Sequence, residues 1–184
     1  LQAQPGETIL KAAQRHGAIL LPQQAVHAWQ PHGGGHTLQA ANSVVHARQL
    51  LLATNGYLPA WLPPVLRHRT LPVISNIIVT CPLSEAEWGA YAYHTATAMF
   101  DTRHLLSYWR RLPDGRLLFG ARGDLCGDDA SGQRQRAALQ AQLAARFPAW
   151  AGVDIDYFWR GLIAVNRRLL PQYGPLPGLP GVWY

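Results

Sequence analysis

The sequence predicts an α+β fold: a large, mainly antiparallel or mixed sheet with one covering helix, following a smaller β-rich part. Three observations predict it. Short runs of β-branched and aromatic residues recur between turn signals, and Asp114-Gly115, between Leu105–Arg111 and Leu117–Phe119, marks a hairpin. Ala130–Phe147 carries the strongest helical pattern in the chain. Two apolar runs, Leu50–Ala53 and Leu71–Thr80, are joined by a crossing in which Pro59, Pro63 and Pro64 forbid any long helix.

In chain order, Pro5–His16 reads as a helix, with Ile9, Leu10 and Ala13 on its apolar face and Gly17 as a C-cap. Ala18–Leu21 is expected as a short strand. Ala25–Gln30, Thr37–Ala41 and Ser43–Ala47 follow as a meander, with turns at Gly33–Gly35 and Asn42-Ser43. Gln49–Ala53 returns as a strand and leaves through Thr54-Asn55-Gly56-Tyr57. The β-branched run from Pro72 to Pro82 is a buried strand. Glu85–Tyr93 is expected to hold a helical turn N-capped by Ser84. Met99–Asp101, His104–Arg111 and Arg116–Gly120 are strands, and alternation places Leu106, Tyr108 and Arg110 on one face. Asp128 or Asp129 N-caps the long helix, which turns Ala137, Leu139, Leu143, Ala144 and Phe147 inward and ends at Pro148. Val153–Val165 is the last long strand, and Gly181–Tyr184 finishes the chain.

Composition bounds the function. The chain has 184 residues, 48% of them hydrophobic, with seven Trp and seven Tyr, which is ample for a core and argues against disorder. The net charge of +6 comes from scattered arginines that neither track a helix face nor interleave with aromatics, so nucleic acid is not expected as a partner. Acidic small molecules suit such a surface. No apolar run approaches the roughly 20 residues of a membrane span. Cys81 and Cys126 form no CxxC, which points to a reduced, cytoplasmic setting. His27, His32 and His36 surround a glycine turn with no carboxylate nearby, so a metal site is not expected and an exposed hairpin tip is. The only methionine is Met99 and the chain opens in mid-pattern, so a piece of a larger protein is expected, divided at residues 1–58 and 59–184.

Four segments together resemble one family. LLLATNGYLP, RTLPVISNIIVTCPL, SYWRRLPDGRLLFGARGD and FWRGLIAVNRRLLPQYGPLPGLPGVWY are similar, in this order, to the middle of the FAD-dependent D-amino-acid oxidase/glycine oxidase family. Within it they are most similar to the γ-glutamylputrescine oxidoreductase-like branch. The resemblance implies a partial FAD-binding domain at the N-terminal end, a substrate domain after it, and oxidation of a C–N bond of an amine or amino acid by hydride transfer to the flavin. It implies Val26, Ala53, Thr54, Asn55, Gly56, Trp159 and Gly161 on the cofactor side. No Ser/His/Asp or Cys/His constellation is required by such chemistry, and none is visible.

By position, Tyr57, Ser75, Tyr108 and Arg122 are the candidates for holding substrate over the flavin. Arg122 is the carboxylate anchor, because a guanidinium meets a carboxylate bidentately. If it points inward it should await an anion or pair with Asp101, Asp124 or Asp128. Two departures bear on the substrate: Ile74 stands where many relatives have a basic residue, and Asn166-Arg167-Arg168 replaces a small-hydroxyl-plus-acid pattern. A homo-oligomer is compatible with the reading. Its rival is a non-enzymatic binding or interaction module that keeps the sheet without flavin. No G-x-G-x-x-G occurs to seat a diphosphate on a helix N-terminus. The 184 residues alone are therefore expected to purify colourless, whereas the intact product shows a flavin absorption band. Stoichiometric flavin on the isolated chain would overturn this account of the cofactor residues.

Overall fold

The computed structural model describes residues 5–104, 106–125 and 127–184, with side chains from residue 9. Cys126 lies outside the described residues. The chain forms two compact units: residues up to Ala53 with Gln172–Tyr184, and Thr54–Pro171. This differs from a division at residue 58, because the last residues return to the first unit. There Val182–Trp183 (β10) pairs in parallel with Leu50–Leu51 (β4).

In the first unit, Pro5–Arg15 is α1, and Val26–His32 (β1), Gly35–Ala40 (β2) and Val44–Ala47 (β3) form an antiparallel meander. Gly33 and Gly34, at φ 57° and 80°, make the two-residue turn that both left-handed positions require. Ala18–Leu21 is not a strand: it finds no ladder partner among the described residues, and Ile19, Leu20 and Leu21 are exposed. The returning strand shortens to β4 for the same reason, its ladder ending after two residues. The expected tip is exposed at His32, Gly33 and Gly34, as is His27, but His36 is not part of it. His36 is 5% exposed, accepts a hydrogen bond from Trp29 Nε1 at 3.4 Å, and lies against Gly181, whose missing Cβ leaves the room.

The second unit is built on a five-stranded antiparallel sheet. Its strands are Leu71–Pro82 (β5), Met99–Phe100 (β6), Ser107–Arg111 (β7), Arg116–Asp124 (β8) and Ile155–Val165 (β9), in the order β6-β7-β8-β5-β9. A short helix, Pro64–Arg67 (α2), is all that the proline-rich crossing allows. Glu85–Gly89 (α3) starts on a capping box in which Ser84 and Glu87 bond each other's backbone N–H. The Ser84 hydroxyl and then the Ser84 backbone N–H, both donating to the Glu87 carboxylate, hold it below its ordinary pKa. The β7–β8 hairpin turns through Pro113-Asp114-Gly115, with Gly115 at φ 80°.

The helix Asp129–Arg146 (α4), N-capped by Asp128, packs on β5 and β8. Leu139 and Leu143 are buried, whereas Ala137 is exposed rather than inward-facing, being on the far side of the helix. Beneath it lies the core: Ile78, Leu117, Phe119 and Ala121 from the sheet, with Leu83, Trp88 and Trp150. Trp88 and Trp150 meet edge to face at 5.2 Å, a contact worth about 0.5–1.5 kcal/mol beyond burial. Cys81 is only half-buried, since the strand bulges near its end.

Thr80 organises that bulge. Its buried hydroxyl donates to Cys81 O at 2.6 Å and accepts from the Leu117 backbone N–H at 3.0 Å. Thr80→Val keeps the shape but orphans the Leu117 amide, so it is expected to cost about 1–3 kcal/mol in a denaturant titration. A shift within experimental error would show that the amide has another partner.

Candidate functional site

Alternation along β5 separates two faces. Ile74, Asn76, Ile78 and Thr80 turn toward α4, and Val73, Ser75 and Ile77 turn to the open side. Cross-strand register then assigns the neighbours. One row across the open face reads Phe100, Tyr108, Gly120, Ile77 and Trp159. The next reads Arg122, Ser75 and Gly161, and the row on the other side Arg110, Leu118, Val79 and Tyr157.

Five of the residues singled out in sequence therefore share one sheet face: Ser75, Tyr108, Arg122, Trp159 and Gly161. Tyr57, 56% exposed, joins them through its hydroxyl, which lies 3.9 Å from where a Cβ on Gly161 would sit. Ser75 Oγ and the Tyr108 hydroxyl share a hydrogen bond of 2.9 Å that reaches across β8. The ring can cross because β8 has a glycine there: a Cβ on Gly120 would lie 2.4–2.6 Å from Tyr108 ring and hydroxyl atoms. Sequence reasoning did not single out Gly120. A glycine inside an otherwise regular strand pattern is the signal that points to it.

Arg122 lies within β8 rather than after it, and it is exposed. Pairing with Asp124 is excluded by a register shift. Gly123, at φ 141°, carries the irregularity that returns Asp124 to the helix side, opposite Ile74, where it accepts from the Ser131 hydroxyl. Asp101 is bound by Arg103 and Arg146 instead. Neither Arg122 nor Arg110 forms an ion pair among the described residues. The rows just described carry these two guanidinium groups and no carboxylate, so the face suits a ligand with an acidic end.

The residues named for the cofactor fall in both units. Val26, half-buried at an irregularity of β1, and exposed Ala53 belong to the first unit. Thr54 O closes the exit turn by accepting from Tyr57 N at 3.0 Å. Asn55, at φ 52°, accepts from Ala164 N at 2.8 Å, so it fastens the turn to β9. The close approach that Gly56 permits is taken by β9: a Cβ there would meet Ile163 backbone atoms at 2.8–2.9 Å. Trp159 and Gly161 alone of this set present surface on the open face. Of the two departures, Ile74 is buried toward α4, and Asn166 caps a turn by accepting from Arg168 N at 2.9 Å. Among the described residues no group of His, Cys, Asp and Glu could hold a metal, and no helix is long and apolar enough to cross a membrane.

Residues 7–184 match the family of FAD dependent oxidoreductases known as DAO. The chain belongs to this family. It is 31% identical over 170 residues to the probable oxidoreductase OrdL of Haemophilus influenzae, covering 90% of this chain and 38% of the relative. It is 31% identical over 139 residues to γ-glutamylputrescine oxidoreductase of Escherichia coli, covering 76% and 32%. The chain thus spans about a third of the length of these relatives. The crystal structure of glycine oxidase from Geobacillus kaustophilus superposes with a TM-score of 0.67 at 19% identity, over 94% of this chain and 44% of that one, and shares its fold.

The DAO family is FAD-dependent. The residues described here do not compose a complete site for that dinucleotide, since Asn55 and Gly56 are engaged by β9 and no glycine-rich turn leads into a helix to seat the diphosphate. What they build is an anion-friendly sheet face around one hydroxyl pair.

The Tyr108–Gly120 contact gives a direct test. Gly120→Ala must push the ring off its strand, at a cost of about 1–3 kcal/mol, and the cost should vanish in a Tyr108→Ala background. Equal penalties in both backgrounds would show that Gly120 serves the backbone instead.

Proposed function

We propose that the intact protein oxidises a C–N bond of an amine or amino acid, and that this chain supplies the substrate-binding face. The observation that carries the reading is the convergence of Ser75, Tyr108, Arg122, Trp159 and Gly161, from β5, β7, β8 and β9, onto one side of the sheet. FAD, when bound in the intact protein, supplies the redox step by accepting a hydride from the carbon beside the amine nitrogen. The chain's residues bind and orient. Arg122 takes the acidic end of the substrate through its fork, and the Ser75–Tyr108 pair offers a donor and an acceptor at the centre. Apolar Ile77 and Trp159 exclude water beside them. Membership of an oxidoreductase family favours this over a binding module without chemistry. The name of the Escherichia coli relative supports an amine bearing an acidic group as the substrate class.

Steady-state kinetics on the full-length enzyme test the role of Arg122. With an amino-acid substrate, Arg122→Ala is expected to raise KM about 10–100-fold, the loss of one charge-assisted contact of roughly 1.5–3 kcal/mol. Arg122→Lys keeps the charge without the fork and should recover part of it. The decarboxylated amine should show neither effect. Equal changes for both substrates, or none, would make Arg122 structural and leave a simple polyamine as the substrate.

A further inference from the structure

Strand β6 is an edge of only two residues, too short to hold itself by its own ladder. Yet it carries Phe100, 68% exposed, at the outer end of the row that runs through Tyr108 and Gly120 to Trp159. What fixes it is the next residue. Asp101 N donates to Ser107 O at 3.0 Å, and Asp101 Oδ1 accepts from Ser107 N at 3.1 Å and Arg103 N at 3.2 Å. Oδ2 accepts from Arg103 Nε at 2.9 Å and from Arg146 Nη2 of α4 at 2.7 Å. The buried Ser107 hydroxyl accepts from Arg103 Nη2 at 2.7 Å and donates to Gln142 of α4 at 3.3 Å. The residue after Phe100 and the residue before Tyr108 are thus tied to each other and, together, to the covering helix. Burial raises the Asp101 pKa, but the bonds from Arg103 and the Ser107 amide outweigh it and hold the carboxyl below its ordinary value.

This is more fastening than an edge strand needs for itself. It concentrates on the two positions that flank Phe100 and Tyr108. We propose that Asp101 is a positioning residue that holds the Phe100 ring beside Tyr108, and that Phe100 is the apolar outer wall of the site, reading the carbon chain attached to the substrate's amine. The proposal rests on the open face being the substrate face. It adds a specificity-determining residue on the edge strand β6, at the other end of the row from Trp159, and explains why a large aromatic stands uncovered there with a network behind it.

The test uses the intact enzyme and a series of straight-chain amines and amino acids of increasing length. Phe100→Ala is expected to raise KM about tenfold for the longest members, leave the shortest unchanged and hold kcat, because it removes apolar contact made equally in ground and transition states. Phe100→Leu should restore most of the loss. Asp101→Asn should produce the same length-dependent KM pattern. It should also speed amide hydrogen exchange at Asp101 and Ser107 while Ile78 and Val79 in β5 stay protected. A Phe100→Ala effect independent of chain length, or absent, overturns the wall. Unchanged exchange at Ser107 in Asp101→Asn overturns the clamp, and this readout needs no turnover. If exchange rises everywhere in Asp101→Asn, Arg103→Gln decides: a rise confined to Asp101 and Ser107 supports the clamp, and a uniform rise or none overturns it. An enzyme inactive on every amine and amino acid would sink the substrate-face reading while the exchange result still judged the clamp.

Discussion

The second unit depends on the double pairing of β5. This strand bonds β8 along one edge and β9 along the other, so its backbone is satisfied on both sides and its side chains are fixed to one face or the other. A slip of one residue would send Ile74 and Ile78 to the open side and place Ser75 under α4. That exchange is prevented by the burial of Ile78, Phe119 and Leu117 beneath Leu139 and Leu143, each buried aliphatic or Phe side chain contributing about 1.5–3 kcal/mol. The core therefore fixes the register, and the register fixes which residues line the open face.

Glycine does separate work on the two faces. Gly120 makes room for the Tyr108 ring to reach Ser75, and Gly123 carries the irregularity that sends Asp124 to the helix side while Arg122 stays on the other. On the helix side, Gly132 leaves space for the Arg160 guanidinium, which donates to the carbonyls of Gly127 and Asp128 and so ties β9 to the start of α4. A side chain added at Gly120 would act on the site by displacing the Tyr108 ring rather than through chemistry. The arrangement also keeps charge apart. Asp101, Asp124 and Asp156 are engaged by Arg103 with Arg146, by Ser131, and by Arg116, so none of them opposes Arg122.

The sequence by itself determined the fold class, the long helix with its N-cap among the two aspartates, the hairpin at Asp114-Gly115, and the strand after Pro72, of which one face rather than both is buried. These rest on local rules: periodicity, capping and turn chemistry are written in neighbouring residues, and the structure obeys them from Asp128 to Phe147. The family was legible too, because four motifs recur in order. Local pattern failed where a partner is needed. Ala18–Leu21 has strand composition without a ladder, β4 stops after two residues, and His36 is buried because Trp29 and Gly181 close over it. Only the tertiary structure decided that Ser75 and Tyr108, 33 residues apart, share a hydrogen bond. It also decided that the space beside Gly56 belongs to β9, and that Phe100 stands in the same row as Trp159. Such facts come from cross-strand register, which long-range burial sets and no short window of sequence contains.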